Sequence, residues 1–192
     1  LRACEATGYD LFLLQRRFGA GFEQVAHRLT TMQRVGARGL PFFMLRIDRA
    51  GQVSKRYAGA SNAPFVDGTD RCPLWNIHEC FARPGDVLTD VLELEDGQRW
   101  VTLSRSVLGP SSGSEGPPAR FAIAIGVEAR LATPLAVVRG MDLVAGPARA
   151  AGLGCARCTR PACSQRSAPP MTRPLLFNER ERGVSAFEFA PD

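Results

Sequence analysis

Cys155, Cys158 and Cys163 form a C-x2-C-x4-C run, with Gly152 and Gly154 just before it and Pro161 inside it. Thiols at this spacing cannot share one face of a regular helix or strand, so the segment must be a loop able to turn its sulfurs towards one centre. Three cysteines leave a tetrahedral zinc ion or a cubane iron–sulfur cluster one ligand short. The fourth candidate lies far upstream, at Cys72 in Arg71-Cys-Pro-Leu-Trp75. Cys-Pro is also how the last ligand of many cluster motifs is written. His78 is a substitute for Cys72, although a packing role suits it better. A centre built from these residues ties the C-terminal stretch to the middle of the chain.

The remaining cysteines do not suggest a disulfide framework. A chain of 192 residues with 45% hydrophobic residues can build an ordinary core, and it carries no export signal. Cys4 and Cys80 read as small buried apolar residues. No run of about 18 apolar residues is present, so no transmembrane helix is expected and a cytoplasmic location is. The chain opens on Leu1 rather than Met, which suggests a piece of a longer protein. Its net charge of +5 is almost wholly arginine, since Lys55 is the only lysine. That charge reads mainly as dispersed and solvated, with a concentrated anion site as the alternative.

Taken in order, the pattern predicts an α+β fold. Leu11, Phe12, Leu14 and Phe18, then Phe22, Val25, Ala26 and Leu29, recur at helical steps on either side of a Gly19–Gly21 break. His27 lies in the second helix. Residues 41–47 and 52–58 read as a β-hairpin around Asp48–Gly51. Residues 73–81 read as a short helix with Pro73 at its first position. Residues 86–94 and 98–107 pair around Glu95-Asp-Gly97, residues 120–127 form the last strong strand, and residues 134–138 a weaker one. Residues 109–118 are a Ser/Gly/Pro loop. In the tail, Leu175, Leu176, Phe177, Phe187 and Phe189 are candidates to cover one side of the core. The element order is that of GAF- and PAS-type sensor domains: a five-stranded antiparallel sheet with a helix inserted after the second strand. N-terminal helices precede it here and an irregular cysteine-rich metal loop follows it. Such domains hold small ligands between the sheet and the inserted helix.

Arg46, Lys55 and Arg56 place three cations on the first hairpin, with Phe42, Phe43 and Tyr57 nearby. They read either as an ordinary solvent-facing hairpin or as a pocket with an apolar floor and an anion-binding rim. Met44 and Arg46 share one face and Leu45 takes the other, so the six need not converge. No nucleophile–base constellation, paired catalytic carboxylates or phosphate-cradling glycine loop is legible, which argues against an enzyme. There is also no helix-turn-helix or arginine-rich arm, so direct, specific DNA binding by this chain is not expected.

Several strings resemble one bacterial family, the short-chain fatty acyl transcriptional regulators best known from actinobacteria. They are Phe22-Glu-Gln-Val-Ala-His-Arg-Leu-Thr-Thr31, Arg38-Gly-Leu-Pro-Phe-Phe43, Ser54-Lys-Arg56, Cys72-Pro-Leu-Trp-Asn76 with His78, and the cysteine run followed by Gln165-Arg166. The resemblance runs along most of the chain. It implies a ligand-sensing domain for propionate and acetate metabolism that binds coenzyme A or a short acyl-CoA and carries a [4Fe-4S] cluster on Cys72, Cys155, Cys158 and Cys163. It also implies a longer protein, a homodimer, that reaches promoter DNA through an N-terminal helix-turn-helix not present here. Residues 1–35 would then close a preceding metallopeptidase-like segment, whose His-Glu-x-x-His helix this chain lacks. Residues 36–192 would be the sensing domain, with its metal loop at 152–170. The family motif names no coenzyme A contacts. On chemical grounds, Arg46, Lys55 and Arg56 suit the phosphates, and Phe42, Phe43 and Tyr57 suit the thioester end or the adenine. The alternative is a protein-interaction domain stabilised by zinc, without ligand sensing.

Overall fold

The computed structural model describes residues 1–68, 71–109, 118–177, 179–180 and 187–190. Three short helices come first: α1 (Arg2–Ala6), α2 (Leu11–Phe18) and α3 (Phe22–Thr30). Asp10 caps α2 by accepting from the Leu13 amide at 3.0 Å, and Gly19 ends it in the left-handed region at φ 58°. The Gln24 side chain reaches back to accept from the Gly21 amide at 2.8 Å and so fixes the start of α3. Each helix is too short to hold itself together in water, so its buried stripe must supply the stability.

That stripe packs on a sheet. A two-residue hairpin, β1 (Gln33–Arg34) and β2 (Ala37–Arg38), leads into β3 (Phe43–Ile47) and β4 (Val53–Tyr57). The rest of the sheet is β5 (Leu88–Glu93), β6 (Arg99–Leu108), β7 (Arg120–Glu128) and β8 (Arg149–Ala150). The order across it is β4-β3-β7-β6-β5-β8, antiparallel throughout except for the parallel pairing of β5 with β8. The first hairpin therefore lies beside the last long strand, and the chain crosses from β4 to the far side of the sheet before returning.

Alternation along the strands divides the interior into two cores. Met44, Val101, Leu103, Ile123, Ile125 and Val127 point towards the helices and join Leu14, Val25 and Leu29. Phe43, Leu45, Ile47, Leu92, Trp100, Ala122 and Ala124 point the other way. They are covered by Phe65, Val66, Cys72, Trp75 and Ile77 from the segment between β4 and β5, and by Ala151. On this side Phe43, Phe65, Trp75 and Trp100 form an aromatic block, with ring centroids 5.2–6.5 Å apart.

Several expectations need correcting. The sheet has six strands rather than five, because residues 149–150 add a short parallel edge. Residues 73–81 are not a helix but a run of turns with one 3-10 turn at Glu79–Phe81. Their bonds reach three residues back, from the Trp75, His78 and Glu79 amides to the Cys72, Trp75 and Asn76 carbonyls. The reason is burial: Trp75, Asn76 and Ile77 are consecutive and all inside, which an amphipathic helix lying on a surface cannot arrange. Residues 136–138, expected as a strand, are a 3-10 turn tied to the N-terminal helices by the Ala136 amide donating to the Gly8 carbonyl at 2.7 Å. In the tail, Leu175 and Phe189 form an isolated bridge, but Phe177 is 90% exposed and covers nothing. Most of the Ser/Gly/Pro loop expected at 109–118 lies outside the described residues.

Candidate ligand and metal site

The cysteine loop is built around one arginine. Arg166 is 8% exposed, and its guanidinium donates to the carbonyls of Cys155 (3.1 Å), Cys158 (3.0 Å), Arg160 (2.7 Å) and Ala168 (3.5 Å). Phe189 lies beneath it at 4.8 Å. Its hydrogen-bond partners in the described structure are neutral carbonyls rather than carboxylates, so its buried charge is hydrogen-bonded but not neutralised. A set of thiolates would supply that negative charge.

Three further contacts fasten the loop to the body. Glu95, in the β5–β6 turn, accepts from the amide and the hydroxyl of Thr159 at 2.6 and 2.8 Å. Arg160 donates to the Glu93 carbonyl at 2.8 Å. Arg157 donates to the Asp67 carbonyl at 3.1 Å, reaching the segment that precedes Cys72. Gly152 is close to obligatory here, since a Cβ would sit 2.8 Å from both Cβ and Sγ of Cys158.

All six cysteines are free thiols. Cys72 and Cys158 are buried, whereas Cys155 and Cys163 are partly exposed. Cys155 Sγ accepts from the Ser167 amide and hydroxyl, each at 3.4 Å. Burial pushes the Cys158 thiol up, against the pull of the Arg160 amide and Arg166. Cys4 and Cys80 are buried as expected, and burial pushes the Cys80 thiol up to about 12, far from any reactive range. Among the described residues no three of His, Cys, Asp or Glu are placed to hold a metal ion. The donor set and the buried cation suit a four-thiolate centre in kind, but the sulfurs are not gathered into one coordination sphere.

The loop also forms one wall of a cavity of about 550 Å³. Cys155, Ser167 and Ala168 face it from the loop, Gly51, Gln52 and Arg56 from the β3–β4 hairpin, and Arg71 and His78 from the segment around Cys72. Gly51 takes φ 79°, and a Cβ there would meet His78 Cε1 at 3.4 Å, so the imidazole lies directly against the hairpin turn. One ring nitrogen of His78 is held by the Cys72 backbone, while the buried Nε2 has no hydrogen-bond partner among the described residues. Burial lowers the pKa of this histidine, which favours the neutral imidazole.

The six residues expected to bind coenzyme A do not form one pocket. Phe42 belongs to the helical core and Phe43 to the aromatic block on the opposite face. Tyr57 packs on His27, centroids 4.3 Å apart. Arg46 and Lys55 do come together, but on a carboxylate: both bind Glu23 of α3, at 3.0 and 2.6 Å. Arg46 also stacks 4.4 Å from the Phe121 ring. Arg56 alone reaches the cavity, with an additional bond to the Val66 carbonyl at 3.3 Å. Sequence reasoning missed Glu23 and Arg71, and no local pattern marks either. Arg166 stood in view beside the cysteine run, but its enclosure could not be read.

The Glu23 cluster gives a pH prediction. Burial alone would raise the Glu23 carboxyl, but the Lys55 hydrogen bond and the Arg46 charge outweigh it and hold the group below its ordinary value. A carboxyl depressed in the folded state stabilises above its unfolded pKa of about 4.3 and loses that contribution as pH falls through the folded value. Glu23→Gln should therefore cost about 1 kcal/mol at neutral pH, given the partial exposure of the cluster. It should also flatten the loss of stability below about pH 4. Urea titrations of both proteins at pH 7 and pH 3 measure the two effects.

The sheet is packed by helices on one face and by loops carrying cations and free thiols on the other. The chain belongs to a family of transcriptional regulators: residues 31–187 match the family model described as short-chain fatty acyl coenzyme A regulator, C-terminal. It is 40% identical over 188 residues to the propionyl-CoA carboxylase regulator of Cereibacter sphaeroides, covering 98% of this chain and 40% of that protein. It is 38% identical over 182 residues to the HTH-type transcriptional regulator RamB of Mycobacterium tuberculosis, covering 93% of this chain and 38% of RamB. Against the HTH-type regulator PrpR of the same organism it is 39% identical over 170 residues, 88% of this chain and 35% of PrpR. A solved Mycobacterium tuberculosis transcriptional regulator superposes with a TM-score of 0.89 at 35% identity, over 97% of this chain and 57% of that one. The chain thus spans about two-fifths of the length of these curated relatives. No helix among the described residues is long and apolar enough to cross a membrane.

Proposed function

We propose that this chain is the ligand-sensing part of a regulator of short-chain fatty acid metabolism. It binds coenzyme A or a short acyl-CoA and carries a four-cysteine metal centre. The observation that carries the reading is the family match across residues 31–187, which spans both the cavity and the cysteine loop. The antiparallel core order β4-β3-β7-β6-β5, with the covering segment entering after β4, supports a GAF/PAS-type sensor architecture. Residues 36–192 would form the sensing unit and residues 1–35 its helical cap.

Cys72, Cys155, Cys158 and Cys163 would hold a [4Fe-4S] cluster, or zinc in the second reading. Either supplies a clasp joining the segment around residue 72 to the loop. Arg166 neutralises the thiolates from within the loop, and Glu95 and Arg157 anchor the loop to the body. Of the expected ligand contacts, Arg56 is placed to meet an anionic group. In the longer protein, a homodimer, ligand binding would bias a DNA-contacting part by differential affinity for two conformations, on the order of 1–3 kcal/mol. Promoter DNA is then a partner of that other part.

The test is an anaerobic ultraviolet–visible spectrum with iron and zinc assayed on the same sample, followed by calorimetric titration with propionyl-CoA. Broad absorbance near about 400 nm with about four irons per chain, lost in Cys72→Ala, is the expected result. A colourless protein with one zinc would shift the centre to the second reading. Absence of heat with propionyl-CoA would remove the sensing role.

A further inference from the structure

We infer that a second cavity, at the open end of the β3–β4 hairpin, is a site for a free aliphatic α-amino acid. Such a site lies apart from the cysteine loop and is independent of acyl-CoA binding. The cavity holds about 400 Å³ and sits between the end of β7, the start of β6 and the chain that leaves β4. Gly59 seats that chain at φ 57°, and a Cβ there would lie 2.8 Å from the carbonyl oxygens of both Phe42 and Thr30. Residues 60–62 therefore stand as a fixed wall.

Trp100 lines this cavity and is only 3% exposed, yet its buried Nε1 has no hydrogen-bond partner among the described residues. The other tryptophan, Trp75, donates from its Nε1 to Thr102 Oγ1 at 3.4 Å. A buried N–H without an acceptor is a cost that a ligand oxygen removes. Trp100 stands opposite Glu128 in the β6–β7 register, so both side chains take the same face of the sheet. Arg130 follows in the 3-10 turn after β7, lines the same cavity and ion-pairs with Glu128. Asn62 and Gln98 add side-chain amides from two other segments.

These groups define the ligand. One carboxylate and one guanidinium leave the cavity without net charge, which matches a molecule bearing one charge of each sign. The ammonium of an α-amino acid suits Glu128, and its carboxylate suits Arg130 and the Trp100 N–H, as the two side chains exchange part of their mutual contact for the ligand. Pro41 and Leu131 supply an apolar wall for an aliphatic side chain.

The experiment follows the two indole N–H signals in two-dimensional ¹⁵N NMR spectra of the whole 192-residue chain. L-valine should move the Trp100 signal saturably and leave the Trp75 signal in place, with Trp100→Phe identifying the former by its loss. N-acetyl-L-valine, which lacks the ammonium, and L-valinamide, which lacks the carboxylate, should each bind about tenfold or more weakly. Glu128→Gln and Arg130→Gln should each weaken valine binding by a similar factor, and an unmoved Trp75 signal shows that they fold. A Trp100 signal unmoved by alanine, valine and leucine up to about 20 mM would overturn the inference. Equal binding of the two blocked derivatives would overturn it too, as would valine binding unaltered by both substitutions.

Discussion

Replacing Arg166 by methionine is expected to release the cysteine loop from its own centre. The side chain keeps its bulk, but the carbonyls of Cys155, Cys158, Arg160 and Ala168 lose their shared donor. Hydrogen bonds to a charged group contribute about 1.5–3 kcal/mol each, and buried carbonyls left unmatched add their desolvation cost. Part of the loss is recovered as the loop opens to water, so a net cost on the order of 3 kcal/mol is expected. That is a large share of the total stability of about 5–15 kcal/mol usual for a domain. Limited proteolysis should cut the variant within residues 152–170 while the sheet stays intact. Arg166→Lys should fall between, since an ammonium cannot span four carbonyls as a planar guanidinium does. A variant as resistant as the parent would show that the loop is held by Glu95 and Arg157 instead.

Phe43→Ala should produce a comparable loss for a different reason. Phe43 is fully buried, stacks on Phe65 at 5.4 Å and meets the edge of Trp100 at 5.7 Å. Across the strand it occupies the space that a Cβ on Gly126 would need, 2.6 Å from its Cε1. Truncating it opens a cavity whose rigid aromatic walls cannot close, and such changes cost about 3–5 kcal/mol. For a chain of this size that corresponds to a fall in Tm of about 10 °C. Calorimetric melting measures it. Phe42→Ala, in the other core, should leave the tryptophan near-ultraviolet signal unchanged, whereas Phe43→Ala should alter it.

The strands were legible wherever one face or both are buried by long-range packing. Pro41-Phe-Phe-Met-Leu-Arg-Ile47 reads as a strand because Phe43, Leu45 and Ile47 fill one core while Met44 fills the other. Glu95-Asp-Gly97 marks its hairpin through backbone chemistry that is local to three residues. The stretch Pro73–Phe81 failed as a helix because periodicity assumes one buried side, and here three consecutive residues are inside. The two-residue strand β8 has no pattern of its own and is paired only because β5 offers an open edge. The basic hairpin was seen as three cations, but Glu23, 23 residues before Arg46 and 32 before Lys55, takes two of them. Charge on a strand can be counted from sequence, whereas its neutralisation depends on which helix lands beside it. The cysteine run was legible as a loop. That its inner wall also closes a cavity with Arg56 and His78 was not, because those residues meet only after the sheet has formed.

The strand pairings also set an order of assembly. Every long strand lies between residues 43 and 128, and β3 finds its partner in residues 122–126 of β7. The sheet's long strands therefore pair without any residue of the cysteine loop, and Cys72 packs beneath them. The cysteine loop follows the sheet in the chain and is held to it by a few side-chain contacts and, just before it, by two residues of parallel strand. Loading of a metal would then be a maturation event on a folded protein rather than a condition for folding. On the proposed four-cysteine centre, a chain without metal would then be folded and unclasped rather than unfolded.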